Sequence, residues 1–267
     1  MFDNHLKRWG LEPDGNPIIT PGSRLLPVRQ GQTPAMLKIA LGDEEKIGAS
    51  LMVWWNGNGA ARVLEHADDA LLLERAQGEK CLRAMTLDGK DDEACRIICE
   101  AVAQLHEHQV TDFVLPMLVP LDIWFSELHR AATRRGGLLA FCAEAARELL
   151  ASQRDMVVLH GDIHHRNILD FDNRGWLAID PKGLIGERTF DYANLFCNPN
   201  FVVASDSKRF IRRLDIVVDV AGLDRKRMLQ WILAYAGLSA AWFMEDGGSP
   251  ETPMAIAQLA AAELALI

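Results

Sequence analysis

The chain has 267 residues, of which 49% are hydrophobic and 24% charged, and its formal net charge is −9. This length and composition are typical of a globular protein of one or two domains and exclude a disordered or fibrous chain. The negative charge argues against a general nucleic-acid-binding protein, which needs clustered lysine and arginine. It is compatible with a cationic small-molecule partner, which an acidic cleft attracts.

Neither end of the chain resembles a targeting or membrane segment. The N-terminus lacks the apolar core of a secretory signal, and no stretch approaches the ~20 apolar residues of a membrane span. The five cysteines form no Cys-x-x-Cys pair, which favours a reducing environment. We therefore expect a cytoplasmic protein without a membrane partner, either a monomer or a weak homodimer.

The first part of the chain favours short strands around one helix. Residues 25–40 predict two strands joined by a turn, and residues 43–55 combine acidic residues in a first turn with apolar residues at helical spacing. Two further strands are predicted over residues 61–66 and 69–76. A linker follows, so we predict an N-terminal domain over residues 1–77.

The second predicted domain, residues 78–267, has a different periodicity. Apolar residues form one helical stripe over residues 91–108. Similar spacing predicts helices over residues 120–135, 138–152, 208–223, 225–243 and 254–267. The sequence thus predicts an α+β protein with a small, β-rich N-lobe and a larger, mainly helical C-lobe.

A short polar segment interrupts this helical part. Residues 157–171 read VVLHGDIHHRNILDF, in which one apolar strand precedes the polar residues and another follows them. A tight turn and a third predicted strand come next, and that strand ends at Asp180. This topology directs the side chains of Asp162, Asn167 and Asp180 toward one point.

Such a set of side chains suits phosphoryl transfer. One carboxylate orients the attacking hydroxyl and takes its proton, while an amide oxygen and a second carboxylate hold Mg²⁺ against the phosphates. Asp162 fits the first role, and Asn167 with Asp180 fits the second.

A zinc site is the alternative for the same segment. It uses His160, His164 and His165, of which the first two have the spacing of ligands on a helix. Gly161 and the apolar strand before it argue against a helix there. We expect His160 instead to brace the loop through hydrogen bonds to the backbone.

The N-terminal part contains residues suited to binding a nucleotide. Lys38 lies within a predicted strand among apolar neighbours, where a solvated lysine is not expected. We interpret it as a cation for the phosphates of ATP, paired with Glu45 of the next helix or, failing that, with Glu44. The backbone after the last strand is the predicted contact for the adenine edge, at Glu74, Arg75 and Ala76.

These blocks resemble a known family. The segments PAMLKIA, WWNGNGAARVL, LHGDIHHRNILDF and RGWLAIDPKGLIGERTFDYANLF resemble, in order, those of the aminoglycoside/hydroxyurea antibiotic resistance kinases, a family of kinase-like aminoglycoside phosphotransferases. The resemblance covers nearly the whole chain. It implies a bilobal, protein-kinase-like fold and a reaction with ATP and Mg²⁺.

The implied reaction phosphorylates a hydroxyl of an aminoglycoside and inactivates it, with streptomycin and its 6 position as the expected target. The resemblance implies these roles, position by position: catalytic Asp162, metal ligands Asn167 and Asp180, the phosphate-anchoring pair Lys38 and Glu45, and a bracing aspartate at Asp191.

The substrate pocket implied by the resemblance must accept a cation. Streptomycin carries guanidinium groups, which carboxylates and aromatic faces bind. Family position and chemistry make Glu187, Trp242, Glu245 and Asp246 the candidates. Two alternatives remain open: a kinase for another small hydroxyl compound such as hydroxyurea, or a nucleotide-binding protein without catalytic activity.

Overall fold

The computed structural model describes residues 1–107 and 114–266. The predicted helix ends at 108 and 267 lie outside these residues. No helix within the described ranges is both long and apolar enough to cross a bilayer.

The N-terminal part is an antiparallel sheet with two helices. In chain order the elements are α1 (Asp3–Trp9), β1 (Leu11–Pro13), β2 (Ile18–Ile19), β3 (Ser23–Gln30), β4 (Thr33–Ala40), α2 (Asp43–Trp55), β5 (Val63–Ala67) and β6 (Ala70–Glu74). The strand order is β1-β3-β4-β6-β5, and β2 pairs with β3. The strands and α2 agree with the sequence-based prediction, whereas α1, β1 and β2 were not predicted.

The two faces of this sheet have different roles. Alternate residues of β4, namely Ala35, Leu37 and Ile39, are buried in a small core. Phe2, which precedes α1, and Leu6 and Trp9 of α1 help to cover it. Successive side chains of a strand point to opposite faces. Lys38 therefore projects from the other face, toward the helical part of the chain.

The C-terminal part is mainly helical. Its α-helices are α3 (Leu82–Leu87), α4 (Asp91–Glu107), α5 (Leu121–Trp124), α6 (Ser126–Arg135), α7 (Leu138–Ala151), α8 (Phe201–Ala204), α9 (Ser207–Ala221), α10 (Arg225–Glu245) and α11 (Glu251–Glu263). Helix α10 is the centre, because almost every residue over 228–241 is buried and it packs against α7 and α11. The α+β fold class is confirmed.

The predicted single helix over residues 120–135 is wrong, because the structure has two helices there, α5 and α6. They meet at Phe125, whose backbone (φ −80°, ψ 0°) departs from helical geometry. Its fully buried ring lies 5.8 Å from the ring of Phe190 and 6.0 Å from that of Trp231, measured between centroids. The break places this ring in the core.

Short strands carry the polar segment. They are β7 (Val119–Pro120), β8 (Met156–Leu159), β9 (Ile168–Asp170), β10 (Trp176–Ala178) and β11 (Leu184–Glu187), with 3₁₀ helices at Asp172–Arg174 and Arg188–Cys197. Strand β11 pairs with β7 and β8, and β9 forms a hairpin with β10. The strand predicted to end at Asp180 ends at Ala178, because Asp180 adopts a φ of +62°, which a strand does not allow.

Helix α2 joins the two parts of the molecule. A Cβ atom on Gly48 would overlap the carbonyl oxygen of Pro181, so the helix lies directly against the backbone that follows Asp180. Further along, the N–H of Ala61 donates to the carbonyl oxygen of Ala178 at 2.9 Å. The domain boundary after residue 77 stays a prediction.

Substitution of Gly48 tests this close approach. Alanine normally stabilises a helix interior relative to glycine by up to about 1 kcal/mol. In Gly48→Ala we expect the opposite, a loss of about 2 kcal/mol in the free energy of unfolding, because the added methyl group forces α2 away from Pro181. Thermal and denaturant unfolding measure this change.

The matched control is Ser50→Ala on the same helix, which removes only a hydroxyl bonded to the Lys46 carbonyl oxygen. It should change stability little. A Gly48→Ala protein as stable as the wild type would contradict the described docking of α2.

Candidate active site

The loop after β8 is held by a buried carboxylate. The backbone N–H groups of His160 and Gly161 donate to the two oxygens of Asp191, at 2.9 and 2.7 Å. Gly161 has a φ of +84° and no room for a side chain beside Leu184, so this sharp turn requires glycine. The turn presents Asp162, and Asp191 makes the bracing contact expected of it.

The imidazole ring of His160 uses both of its nitrogens to brace this loop. Its Nε2–H donates to the Ile179 carbonyl oxygen at 2.8 Å, and its Nδ1 accepts from the N–H of Asp162 at 3.1 Å. Burial lowers the pKa of His160, which keeps the ring neutral. Neither ring nitrogen is free for a zinc ion, and no cluster of three or more metal-ligating His, Cys, Asp or Glu side chains occurs in residues 1–107 and 114–266.

Asp162 lies in a network of amide donors. The side-chain N–H₂ of Asn167 donates to its carbonyl oxygen at 2.9 Å and to Oδ2 at 3.2 Å, and that of Asn194 donates to Oδ1 at 2.8 Å. Burial raises the pKa of Asp162 to about 7, although the positive charge of Lys182 acts in the opposite direction. A carboxyl group with a pKa near neutrality is suited to accepting a proton.

Asn194 is a site residue that the sequence-based predictions missed. It lies in the 3₁₀ helix Arg188–Cys197, three residues after Asp191. Because a 3₁₀ helix has three residues per turn, these two side chains lie on the same edge. Both therefore reach the loop, one binding its backbone and the other the Asp162 carboxylate. The Asp-x-x-Asn spacing is the signal that indicates this pair.

The structure brings Lys38, Glu45 and Asp180 together. Lys38 is buried, with only 10% of its side chain exposed, and its ammonium group forms ion pairs with both carboxylates. Burial alone raises the pKa of Asp180, but the neighbouring Lys38 outweighs it and leaves the pKa below its ordinary value. Asp180 is thus ionised, and its positive φ is the type of backbone outlier that functional sites retain.

Asn167 and Asp180 have the right chemistry for a magnesium ion. The amide nitrogen of Asn167 is used by Asp162, which leaves its carbonyl oxygen as an acceptor. Together with the Asp180 carboxylate, this supplies the oxygen ligands that Mg²⁺ prefers. The residues fit the ion, and their role as its ligands stays a prediction.

A cleft of about 350 Å³ opens beside Lys38 and Asp180. Its walls are mostly apolar, which suits a flat heterocycle. Strands β2, β3, β4 and β6 of the sheet and the β9–β10 region line it from two sides, with Ile18, Leu25, Met36, Leu73, Leu169, Phe171 and Ile179. None of these was predicted, because an apolar residue in a cleft looks like any core residue in the sequence.

Residues 74–76 form an edge of this cleft. The side chains of Glu74 and Arg75 are occupied elsewhere, by ion pairs with Arg174 and Asp14. The N–H of Ala76 makes no hydrogen bond to any residue within 1–107 or 114–266. The backbone here is therefore suited to an adenine edge, and the contact with adenine stays a prediction.

A second cleft, of about 480 Å³, lies on the other side of α2. Three of the four predicted substrate residues line it, namely Trp242, Glu245 and Asp246. Trp242 packs edge-to-face on Trp124, with the ring centroids 5.3 Å apart. Four carboxylates and one guanidinium face the cleft, in the side chains of Glu44, Glu127, Glu245, Asp246 and Arg130.

Glu187 is not part of this cleft, and its prediction as a substrate residue is wrong. Its side chain has no exposed surface, and Oε1 accepts from Nε of Arg227 at 2.7 Å and from Nε1 of Trp231 at 3.0 Å. In the β8–β11 ladder it pairs with Met156, four residues and about 13 Å from the start of the loop that presents Asp162. Glu187 therefore anchors α10.

Lys182 is a second residue that was not predicted. Its ammonium group donates to Oε1 of Glu44 at 2.6 Å. Burial alone lowers the pKa of Lys182, but the hydrogen bond and charge of Glu44 and the charge of Asp162 raise it above its ordinary value. A permanent positive charge therefore stands near Asp162. The Asp-x-Lys spacing from Asp180 is its only sequence signal.

Comparison with known proteins places these features in a family. The family described as aminoglycoside/hydroxyurea antibiotic resistance kinase matches residues 8–247. A streptomycin 3''-kinase of Klebsiella pneumoniae is 50% identical over 91% of this chain and 92% of its own length. A streptomycin 6-kinase of Streptomyces glaucescens is 33% identical over 96% of this chain and 86% of its own length.

A solved structure confirms the kinase-like fold that the sequence predicted. It is a thermostable mutant of aminoglycoside phosphotransferase APH(4)-Ia, in a ternary complex with ADP and hygromycin B. The TM-score is 0.66 at 12% identity, covering 99% of this chain and 97% of that one. At this identity the likeness shows the fold alone.

The anchoring role of Glu187 can be tested by its stability effect. Burial alone raises the pKa of Glu187, but the hydrogen bonds from Arg227 and Trp231 leave it below its ordinary value. A carboxylate with a depressed pKa stabilises the fold at neutral pH and loses this contribution in acid. We expect Glu187→Gln to lower the free energy of unfolding at pH 7 by about 3 kcal/mol, because Arg227 loses its ionic partner.

Unfolding should be measured at pH 7 and again at decreasing pH, where the difference between the two proteins should shrink. Glu245→Gln is the matched control, because its carboxylate is mostly exposed and should contribute less than about 1 kcal/mol. Equal stability of Glu187→Gln and the wild type at pH 7 would rule out the anchoring role.

Proposed function

The chain belongs to the aminoglycoside/hydroxyurea antibiotic resistance kinase family and is an aminoglycoside O-phosphotransferase, and we propose that it phosphorylates streptomycin with ATP and thereby inactivates it. The observation that carries the proposal is a pair of clefts near the loop that presents Asp162: Asp180 lines one, Glu44 lines the other, and the charges of both act on Asp162. An apolar cleft ends at Lys38 and Asp180, and an acidic cleft lined by Trp242 lies beyond α2.

The apolar cleft is suited to the nucleotide. Its two apolar walls accept the faces of adenine, and the backbone at Ala76 offers an N–H to the edge of the base. Lys38 then binds the phosphates, held in place by Glu45. Asn167 and Asp180 would hold Mg²⁺, which would supply positive charge to the phosphate oxygens.

Asp162 is the proposed catalytic residue. Its carboxylate accepts a hydrogen bond from the acceptor hydroxyl and takes the proton as the oxygen attacks the γ-phosphorus. A new oxygen–phosphorus bond forms, the bond to the oxygen bridging the β- and γ-phosphates breaks, and ADP leaves with that electron pair. The amide groups of Asn167 and Asn194 hold the carboxylate in position.

The acidic cleft is suited to a guanidinium-bearing acceptor. Carboxylates at Glu245 and Asp246 provide charge-assisted hydrogen bonds, and the faces of Trp124 and Trp242 provide cation–π contacts. A volume of about 480 Å³ is within the range of drug-sized ligands, whereas hydroxyurea has only a few heavy atoms. This supports an aminoglycoside over hydroxyurea.

The hydroxyl that accepts the phosphoryl group is a separate question. The relative at 50% identity is a 3''-kinase, and the 6-kinases are 33% and 31% identical. Because the acceptor position depends on how the protein orients the antibiotic, the relative with the higher overall identity is the better guide. We therefore propose the 3''-hydroxyl in place of the 6-hydroxyl that the sequence alone suggested.

Purified protein supplied with Mg·ATP tests the activity, with ADP release as the readout and streptomycin, 2-deoxystreptamine aminoglycosides and hydroxyurea as separate acceptors. We expect a rate that depends on streptomycin and falls by about 10³-fold in Asp162→Ala, which lacks the base. Mass and NMR spectra of the product identify the phosphorylated hydroxyl.

Asp88→Ala is the matched control, because Asp88 is exposed at the end of α3. Its rate should equal that of the wild type. No acceptor-dependent rate with any of these compounds would reject the proposed substrate class, and turnover retained in Asp162→Ala would reject the role of Asp162.

We propose that Asn194 holds the Asp162 carboxylate in position and favours its ionised form. A donor to a carboxylate favours its charged form, so its loss raises the pKa of Asp162 further. Asp162 accepts a proton only when ionised, above its pKa. In Asn194→Ala we therefore expect kcat at pH 7 to fall about tenfold, the acid limb of the kcat profile to move to higher pH, and KM to change little.

The pH profile separates this role from a purely structural one, which would lower kcat equally at every pH. Asn173→Ala serves as the control, because Asn173 is exposed in the turn between β9 and β10. An unshifted acid limb in Asn194→Ala would contradict the assignment.

A further inference from the structure

Lys182 is fixed to the catalytic loop by its backbone. Its N–H donates to the carbonyl oxygen of His160 at 2.7 Å, and its Cβ lies 3.1 Å from the position that a Cβ of Gly161 would occupy. The base of this side chain therefore keeps a constant position relative to Asp162. Only the flexible four-carbon stem allows the ammonium group to move.

The ammonium group of Lys182 contacts the acidic cleft at Glu44, and its charge acts on Asp180 of the apolar cleft and on Asp162. We call this place the junction of the two clefts. Lys38 stands on the nucleotide side of the same junction. Two lysines thus flank the place where the proposed reaction moves a phosphoryl group between the clefts.

The bond between Lys182 and Glu44 is not needed to dock α2. Gly48 already lies against Pro181, and Ile47 fills the space beside Gly183. Glu44 is 51% exposed, and ion pairs with such a partner contribute little to stability. The ammonium group can therefore leave Glu44 at small cost when a more highly charged partner arrives.

We propose that Lys182 binds the γ-phosphoryl group during transfer and that Glu44 holds its ammonium group while no nucleotide is bound. This inference rests on the proposed function. A phosphoryl group carries more negative charge than a carboxylate and accepts more hydrogen bonds, so it attracts the ammonium away from Glu44. Lys182 then neutralises charge on the phosphoryl oxygens as the bond to ADP breaks. Glu44 then no longer has Lys182 as its partner at the edge of the acidic cleft, where a cationic acceptor binds.

Nucleotide binding without an acceptor tests the inference. Calorimetric titration should compare Mg·AMP-PNP, which has a γ-phosphate, with Mg·ADP, which does not. In Lys182→Met we expect affinity for Mg·AMP-PNP to fall about tenfold, the loss of one charged hydrogen bond, and affinity for Mg·ADP to stay unchanged. In Glu44→Gln we expect the opposite, tighter binding of Mg·AMP-PNP, because the competing carboxylate is gone.

The matched control is a second lysine–carboxylate pair of the same helix. Nζ of Lys46 lies 3.3 Å from Oδ1 of Asp43 on the exposed side of α2. Lys46→Met and Asp43→Asn therefore make the same charge changes as Lys182→Met and Glu44→Gln, but away from both clefts. Both should bind the two nucleotides as the wild type does. Circular dichroism verifies that every variant is folded.

The outcomes separate this inference from the proposed function. The γ-phosphate contact is overturned if Lys182→Met binds both nucleotides as tightly as the wild type does. It is also overturned if the variant loses affinity for both nucleotides equally. In either case the proposed kinase function is unaffected. Wild-type protein that binds neither nucleotide overturns the proposed function, and this inference with it.

Discussion

The buried ammonium group of Lys38 is the constraint on which the site depends. A charge taken out of water is costly unless oppositely charged groups surround it. Here the two carboxylates come from Glu45 on α2 and Asp180 in the C-terminal part, and Lys38 itself comes from β4. Two consecutive elements of the N-terminal part must therefore meet a segment 142 residues further along the chain, and this contact brings the sheet, the helix and the loop together at one point.

The catalytic loop is held mainly through backbone groups and a neutral imidazole. Asp191 binds two N–H groups of the turn, and His160 links the loop to Ile179. These bonds fix the main chain, so the Asp162 carboxylate is not needed to hold the turn itself. Asn194, from the same 3₁₀ helix as Asp191, then orients the carboxylate. One short helix thus both supports the loop and directs its reactive group.

Two successive acidic residues of α2 serve two different clefts. Neighbouring residues of a helix point about 100° apart. Glu45 therefore faces Lys38 and the nucleotide cleft, while Glu44 faces Lys182 and the acidic cleft. The docking of α2 through Gly48 sets both directions at once. A rotation of this helix would therefore displace Glu44 and Glu45 together and change both clefts at once.

The sequence alone determined the α+β class, the kinase family and the local part of the site. Asp162 and Asn167 lie within one loop, and Lys38 lies on a strand whose alternation is plain, so short-range patterns suffice to find them. Tertiary structure decided the rest. The ion pairs of Lys38 with Asp180 and of Lys182 with Glu44 join residues 142 and 138 positions apart. The sequence does not show whether a carboxylate such as Glu187 anchors a helix or faces a ligand. Only the packing of the chain determines which groups lie next to it.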